Sequence, residues 1–321
     1  MEDKILAGIL GACVGDALGV PVEFKSRESL EKHPVTDMRG YGTYNQPPGT
    51  WSDDTSMTLC LLDSLAGGLH YKDIMQKFML WFRKGNYTPH GKVFDIGMAT
   101  NRALGRYANG NDPLSCGGTS ESDNGNGSLM RILPLAFYLR SRYGCRYTDN
   151  NEAFEIIHNV SSLTHAHIRS QIACGIYLSV AECLFDAKDL KRGIRSGISK
   201  AKDHYEKDKK YARELFFYDR IFEENFAELP QSSIYSSGYV LDTLEAALWC
   251  LLNTDSYEEC VLKAVNLGED TDTVAAVAGG LAGLFYGVDA IPSKWVNQIL
   301  RLGYIKDMCC RLAISFTANM D

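Results

Sequence analysis

Residues 7–19 read AGILGACVGDALG, with glycines at 8, 11, 15 and 19. Spacings of three and four place all four on one face of a helix. Glycine inside a soluble helix costs about 1 kcal/mol relative to alanine, so a whole stripe needs an offset. A face without side chains lets another backbone come unusually close. Near the other end of the chain, residues 277–287 read VAGGLAGLFYG and carry the same pattern in Gly279, Gly280, Gly283 and Gly287. The two segments are expected to form helices packed face to face.

Helical periodicity continues between them. It predicts helices over 3–18, 54–66, 71–84, 94–108, 128–140, 151–163, 167–185, 190–205, 208–224, 239–252, 256–266, 272–286 and 292–307. Strand-like alternation is scarce. Gly, Pro and Asn mark the loops, as in YGTYNQPPGTW and CGGTSESDNGNG. No linker, fixed-period repeat or low-complexity tract interrupts the pattern. The expectation is an all-α protein: a single compact orthogonal multi-helix domain of roughly a dozen helices over residues 1–321.

With 45% hydrophobic residues the chain can build a large core. Lys plus Arg number 33 and Asp plus Glu 40, a formal charge of −7. No basic stripe is present, so nucleic acid is not an expected partner. Ten scattered cysteines form no C-x-x-C pair, which argues against a thiolate zinc site and for a reducing, cytoplasmic setting. Asp16 interrupts the apolar N-terminus and no cleavage site follows, so a signal peptide is not expected. No run of 18 apolar residues occurs, so no membrane partner is expected either.

Two acidic knots carry the chemistry. One is GTWSDDTSM, with Ser52, Asp53, Asp54 and Thr55 before an apolar helix. The other is GEDTDTVAA, with Glu269, Asp270, Asp272 and Thr273 before the second glycine-rich helix. Helix capping accounts for one or two such residues, not for all of them. Two carboxylates ~4 Å apart repel by about 4 kcal/mol near a protein surface. Hard divalent cations such as Mg²⁺ or Mn²⁺ take carboxylate, hydroxyl and water oxygens. Asp53, Asp54, Asp270 and Asp272 together carry −4, the charge that two such ions cancel if the fold brings the knots together.

Other candidates are weaker alone. In SDNGNGSLMR, the residues Gly125, Asn126, Gly127 and Ser128 open an expected helix, a place suited to a phosphate or to an ordinary turn. Pro134 should kink or break that helix. His165 and His167 form an H-x-H pair, but a metal-binding barrel would need strands that this chain lacks. His165 reads better as a hydrogen-bonding loop histidine and His167 as an ordinary one. Glu23 follows Pro21 in an apolar segment, where a raised pKa suits proton transfer. Asp16 is expected to support structure nearby. Tyr239 starts a helix and reads either as core or as a ring offered to a base.

In chain order, GACVGDALGVPVEF, WSDDTSM, GNGSLMR, LTHAH, SSGYVLDTLEAALW and GEDTDTVAA together resemble the ADP-ribosylglycohydrolase family over nearly the whole chain. The resemblance implies an all-α hydrolase with a binuclear centre of two Mg²⁺ (or Mn²⁺) ions, and a monomer is expected. It implies metal ligation by Ser52, Asp53, Asp54, Asp270, Asp272 and Thr273, with Ser52 standing where many members have Thr. It implies that Gly125–Ser128 cradle the diphosphate of ADP-ribose, that His165 contacts ribose or phosphate, and that Tyr239 stacks near the nucleoside. The implied catalytic residues are Glu23, Asp54 and Asp272. The reaction implied is cleavage at the anomeric carbon through an oxocarbenium-like state, with metal-activated water and a carboxylate proton shuttle. The partner is ADP-ribose on an acceptor, most readily an arginine side chain of a protein. A small conjugate such as O-acetyl-ADP-ribose, or a non-catalytic crystallin-like or ADP-ribose-binding role, are the alternatives. Glu269 stands where other members often have Gly or Asn.

Overall fold

The computed structural model describes residues 1–318, and the last three residues of the expected 1–321 domain lie outside the described residues. Sixteen α-helices and no strand are present among the described residues, and twelve of the helices have nine residues or more. Three isolated β-bridges occur, and two of them, Gly118 with His165 and Gly125 with Tyr239, tie loops together around one cleft.

The glycine-faced segments form the centre. The N-terminal helix, Glu2–Gly19, is buried on every side from Ala7 onward, as is the helix Thr271–Tyr286 from its start to Leu284. A helix apolar all round belongs inside a domain. By length and composition the segment Glu2–Val22 also qualifies as a membrane span, yet 94% of its most apolar 18-residue window is buried inside the fold. The two helices run antiparallel, with Gly8 beside Gly280, Gly11 beside Gly279 and Gly283, Gly15 beside Ala275, and Gly19 beside Asp272. A Cβ on Gly15 would collide with the Ala275 carbonyl, and one on Gly19 with the backbone of Asp272. Backbone contact of this kind leaves no room for a methyl group. Gly15→Ala is therefore expected to destabilise the protein by about 2 kcal/mol through overpacking, seen as a lower denaturation midpoint at unchanged slope.

The same helix organises a third element. Asp16 is fully buried. Its carboxylate accepts hydrogen bonds from the Ser52 N–H (2.9 and 3.1 Å), the Thr55 N–H (3.0 Å) and the Thr55 hydroxyl (2.6 Å). These donors belong to the first turn of the helix Asp53–Leu65 and its cap, Ser52, groups otherwise without intrahelical partners. One helix thus admits Asp272 at Gly19 and holds Ser52 and Thr55 at Asp16, three residues apart. That is how two acidic knots more than 200 residues apart in sequence reach one place.

Several expected helices differ from the structure. The 128–140 helix starts at Pro134 and runs to Tyr143. Proline takes the first helical position, where it loses no hydrogen bond. The 94–108 helix starts at Met98. The 208–224 segment breaks into Lys209–Ala212, the 3₁₀ turn Leu215–Tyr218, and Asp219–Phe222. Tertiary contacts prevail over its helical propensity there: the Tyr218 hydroxyl donates to the Arg169 carbonyl (2.5 Å), and Phe217 lies under the Arg169 guanidinium. The 292–307 helix is interrupted before Leu302 by Arg301 at φ 51°.

Candidate active site

The two acidic knots meet. Thr273 Oγ1 donates to Asp54 Oδ2 (3.3 Å), and Ser52 Oγ reaches the same oxygen (3.2 Å). Asp272 Oδ1 accepts from the Thr273 N–H (2.9 Å). Asp270 Oδ2 accepts from the Asn126 amide (2.8 Å). Glu23 sits just beyond the N-terminal helix, and one of its oxygens lies within 4.8 Å of oxygens of Asp272 and Asp95.

Each acid has an oxygen left over. Glu23 Oε2, Asp54 Oδ1, Asp270 Oδ1 and Asp272 Oδ2 are buried without a hydrogen-bond partner. Buried polar atoms are otherwise almost always paired. Four orphan carboxylate oxygens around one point, with the hydroxyls of Ser52 and Thr273 beside them, form an all-oxygen donor set of the kind that hard divalent cations take. The residues present fit such ions.

Electrostatics point the same way. Burial, reinforced by neighbouring carboxylates, pushes Asp53, Asp54 and Asp272 well above the usual carboxylate range. Glu23 is pushed up to about 8, first by burial and then by Asp95. Asp95 is raised by burial, and the Asp53 carboxyl lies against it. Asp16 reaches about 6 through burial, opposed by the hydrogen bonds from Thr55 and Ser52. No cation is paired with these acids among the described residues.

A cleft of about 400 Å³ opens over the acids. Glu23, Phe24, Asp53, Asp95, Asp270 and Thr273 line one part, while Gly125, Asn126, Gly127, His165 and Gly238 line another. Ser52, Asp54 and Asp272 lie beneath it. His165 is buried, and Thr164 Oγ1 lies 2.8 Å from its Nδ1. Burial and then Arg131 lower His165 to about 3, so the ring is neutral. It packs directly on the glycine loop: a Cβ on Gly127 would lie 2.8 Å from His165 Cε1, so only glycine fits there.

The loop itself departs from expectation. Asn126–Ser128 is a 3₁₀ turn six residues ahead of the helix at Pro134, not that helix's first turn. Asn126 spends its side-chain amide on Asp270 and on Thr243 Oγ1 (2.9 Å). Ser128 turns inward, where its hydroxyl accepts from Ser161 (3.0 Å). Tyr239 caps the helix Val240–Leu252, and its backbone bridges Gly125. The Tyr239 hydroxyl accepts from Arg169 (3.4 Å), and Gly238, not the Tyr239 ring, forms the cleft wall there. His167 is an N-cap whose ring accepts the Arg169 N–H.

Three groups were not singled out from the sequence. Periodicity puts Asp95 in the first turn of a helix, and that helix begins instead at Met98. Arg131 is fully buried with no carboxylate partner among the described residues. Its guanidinium lies over the Phe78 ring and donates to the carbonyls of Gly127 and Val160. Holding the Gly127 carbonyl inward turns the next N–H, on Ser128, the opposite way, because the peptide is planar and trans. Thr100 Oγ1, buried and without a partner, lies beside Gly127. The signal for Asp95 was Gly97 just before Met98, an N-cap that excludes Asp95 from the helix.

Comparison with known proteins shows the family. The ADP-ribosylglycohydrolase family model matches residues 1–320. The chain is 31% identical to ADP-ribosylarginine hydrolase Tri1 of Serratia proteamaculans, over 97% of this chain and 79% of that one. It is 31% identical to the ADP-ribosyl-[dinitrogen reductase] glycohydrolase of Rhodospirillum rubrum, over 93% and 91%. A solved structure described as an ADP-ribosylglycohydrolase-related protein complex superposes with TM-score 0.79 at 31% identity, covering 98% of both chains. A chain matched from end to end in sequence and in backbone belongs to the ADP-ribosylglycohydrolase family of glycoside hydrolases.

Proposed function

We propose that this enzyme hydrolyses the bond between ADP-ribose and an arginine side chain of a modified protein, using two Mg²⁺ or Mn²⁺ ions held by Ser52, Asp53, Asp54, Asp270, Asp272 and Thr273. The observation that carries the reading is the meeting of Asp54, Asp270 and Asp272, each with a buried oxygen that has no partner, beside the hydroxyls of Ser52 and Thr273. The arginine acceptor is supported by a relative at 31% identity named an ADP-ribosylarginine hydrolase, and a protein substrate by another at 31% named an ADP-ribosyl-[dinitrogen reductase] glycohydrolase. When bound, the ions supply positive charge and Lewis acidity toward ribose hydroxyls and water.

The chain's own residues do the rest. The glycine loop Gly125–Ser128 receives the diphosphate. Arg131 beneath it lends positive potential, and the Thr100 hydroxyl and the neutral His165 ring offer hydrogen bonds. Tyr239 serves through its backbone, bridged to Gly125, and Gly238 forms the wall beside the loop. Glu23 Oε2, a buried oxygen without a partner, serves to carry a proton at the departing acceptor nitrogen as its bond to the anomeric carbon breaks. Asp95 stands beside it to take up a proton from water. Asn126 and Asp16 position Asp270 and the Asp53 helix. The ten cysteines are all free, which supports a reducing, cytoplasmic setting.

The test is turnover of ADP-ribosyl-arginine and ADP-ribosyl-serine peptides with and without chelator. Release of ADP-ribose from the arginine peptide, lost in EDTA and restored by Mg²⁺ or Mn²⁺, is the expected result. No release from the arginine peptide with metal restored overturns the reading.

A further inference from the structure

Phe24 is exposed and strained in a way the fold does not require. Its side chain is 70% exposed, and its backbone stands at φ 64°, a region that disfavours bulky residues. Hydrogen bonds hold it there: the Phe24 N–H donates to the Glu269 carbonyl (2.7 Å), the Glu269 N–H to the Lys25 carbonyl (2.8 Å), and the Lys25 N–H to the Val22 carbonyl (2.9 Å). Glu269, at φ 60°, shares the left-handed conformation. Glycine would meet both demands at lower strain. A phenyl ring kept here instead, immediately after Glu23 and lining the cleft, has its use outside the fold.

Its surroundings indicate that use. The ring centroid lies 6.4 Å from that of Tyr44, which lies 5.1 Å from that of Phe94. This aromatic row borders Glu23, Asp53, Asp95 and Asp270. Met98, 78% exposed, lines the same cleft. With the glycine loop and His165 given to ADP-ribose, the acidic and aromatic wall remains for the acceptor. A wall of carboxylates with the exposed Phe24 ring among them complements a planar, weakly hydrated cation.

We propose that Phe24 is the acceptor-specificity residue of this site: its ring face receives the guanidinium of ADP-ribosylated arginine, with Met98 against the aliphatic stem. The assignment rests on the functional reading above and deepens it. A serine-linked or ester-linked substrate presents no cation and gains nothing from the ring, whereas a guanidinium over an aromatic face does.

The experiment compares wild type, Phe24→Gly and Phe24→Trp in the metal-loaded enzyme. Measured quantities are kcat and KM on an ADP-ribosyl-arginine peptide, and the inhibition constant of free ADP-ribose, which lacks an acceptor. Phe24→Gly is expected to raise KM for the arginine peptide roughly tenfold, with the loss in KM rather than in kcat. Phe24→Trp keeps the wild-type KM. The ADP-ribose constant does not move, and the melting temperature of Phe24→Gly is unchanged or higher because strain is relieved. An unchanged KM in Phe24→Gly overturns the assignment, as does an equal rise in KM and in the ADP-ribose constant, which would place the ring on the nucleotide side. Failure of the functional reading is distinct: it shows in the wild type, as absence of turnover on the arginine peptide, and takes this assignment with it.

Discussion

Asp54→Ala and Asp272→Ala are each expected to lower kcat by at least about a thousandfold, the equivalent of roughly 4 kcal/mol of lost transition-state stabilisation, and to lower the metal content per chain. The two residues sit where the knots meet, with Asp54 Oδ2 against Thr273 and Asp272 in the first turn of the facing helix. Each has one oxygen committed to the protein and one uncommitted. The committed oxygen fixes the carboxylate, and the uncommitted one is where a cation gains a ligand. A purely structural role predicts that removing either acid unfolds or loosens the protein. The metal role predicts the reverse for chelated samples: Asp272→Ala in EDTA should melt no lower than wild type in EDTA, because one buried charge of a repelling group has gone. Elemental analysis and peptide turnover, alongside melts with and without chelator, check all three outcomes. A variant with normal rate and full metal content would remove these residues from the site.

The glycine stripes and the acidic knots were legible because their information is local. A three- and four-residue recurrence defines a helix face without knowledge of its partner, and adjacent acids declare an unfavourable charge that some partner must offset. What depended on the third dimension was hidden. Asp95 is a lone acid in KVFDIGM and acquires meaning only because Gly97 releases it from the helix into the cleft. Arg131 lies in an apolar run, and nothing in LMRIL tells that its charge is buried under a loop without a counter-ion. The sequence offers Asn126 as a phosphate contact, yet its amide belongs to Asp270 and Thr243, partners more than 100 residues away. The left-handed backbone at Phe24 was invisible for the opposite reason: the residues that normally advertise it are glycine and asparagine, which the resemblance offers at position 269 and not at 24.

Metal-free protein is expected to lose stability as pH rises from about 5 to about 8, and divalent cations to restore it. Burial raises Glu23 to about 8 and Asp16 to about 6, from ordinary values of 4.5 and 3.8, and raises Asp53, Asp54 and Asp272 as well. An acid that binds its proton more tightly folded than unfolded favours the folded state fully below its unfolded pKa. That contribution is lost as pH rises through the folded pKa, because the folded chain binds more protons throughout the interval. Mg²⁺ or Mn²⁺ reverses the sense, since ionised carboxylates hold the cation and protons compete with it. Melting curves of chelated and metal-loaded protein should therefore nearly coincide at pH 5 and separate by on the order of 10 °C at pH 8. The measurement also separates two reasons for placing so many acids at helix starts. A capping carboxylate serves its helix best when ionised, so a capping role predicts chelated protein that gains stability with rising pH. Cation-holding carboxylates predict a chelated protein that loses it, and a metal-loaded one that does not.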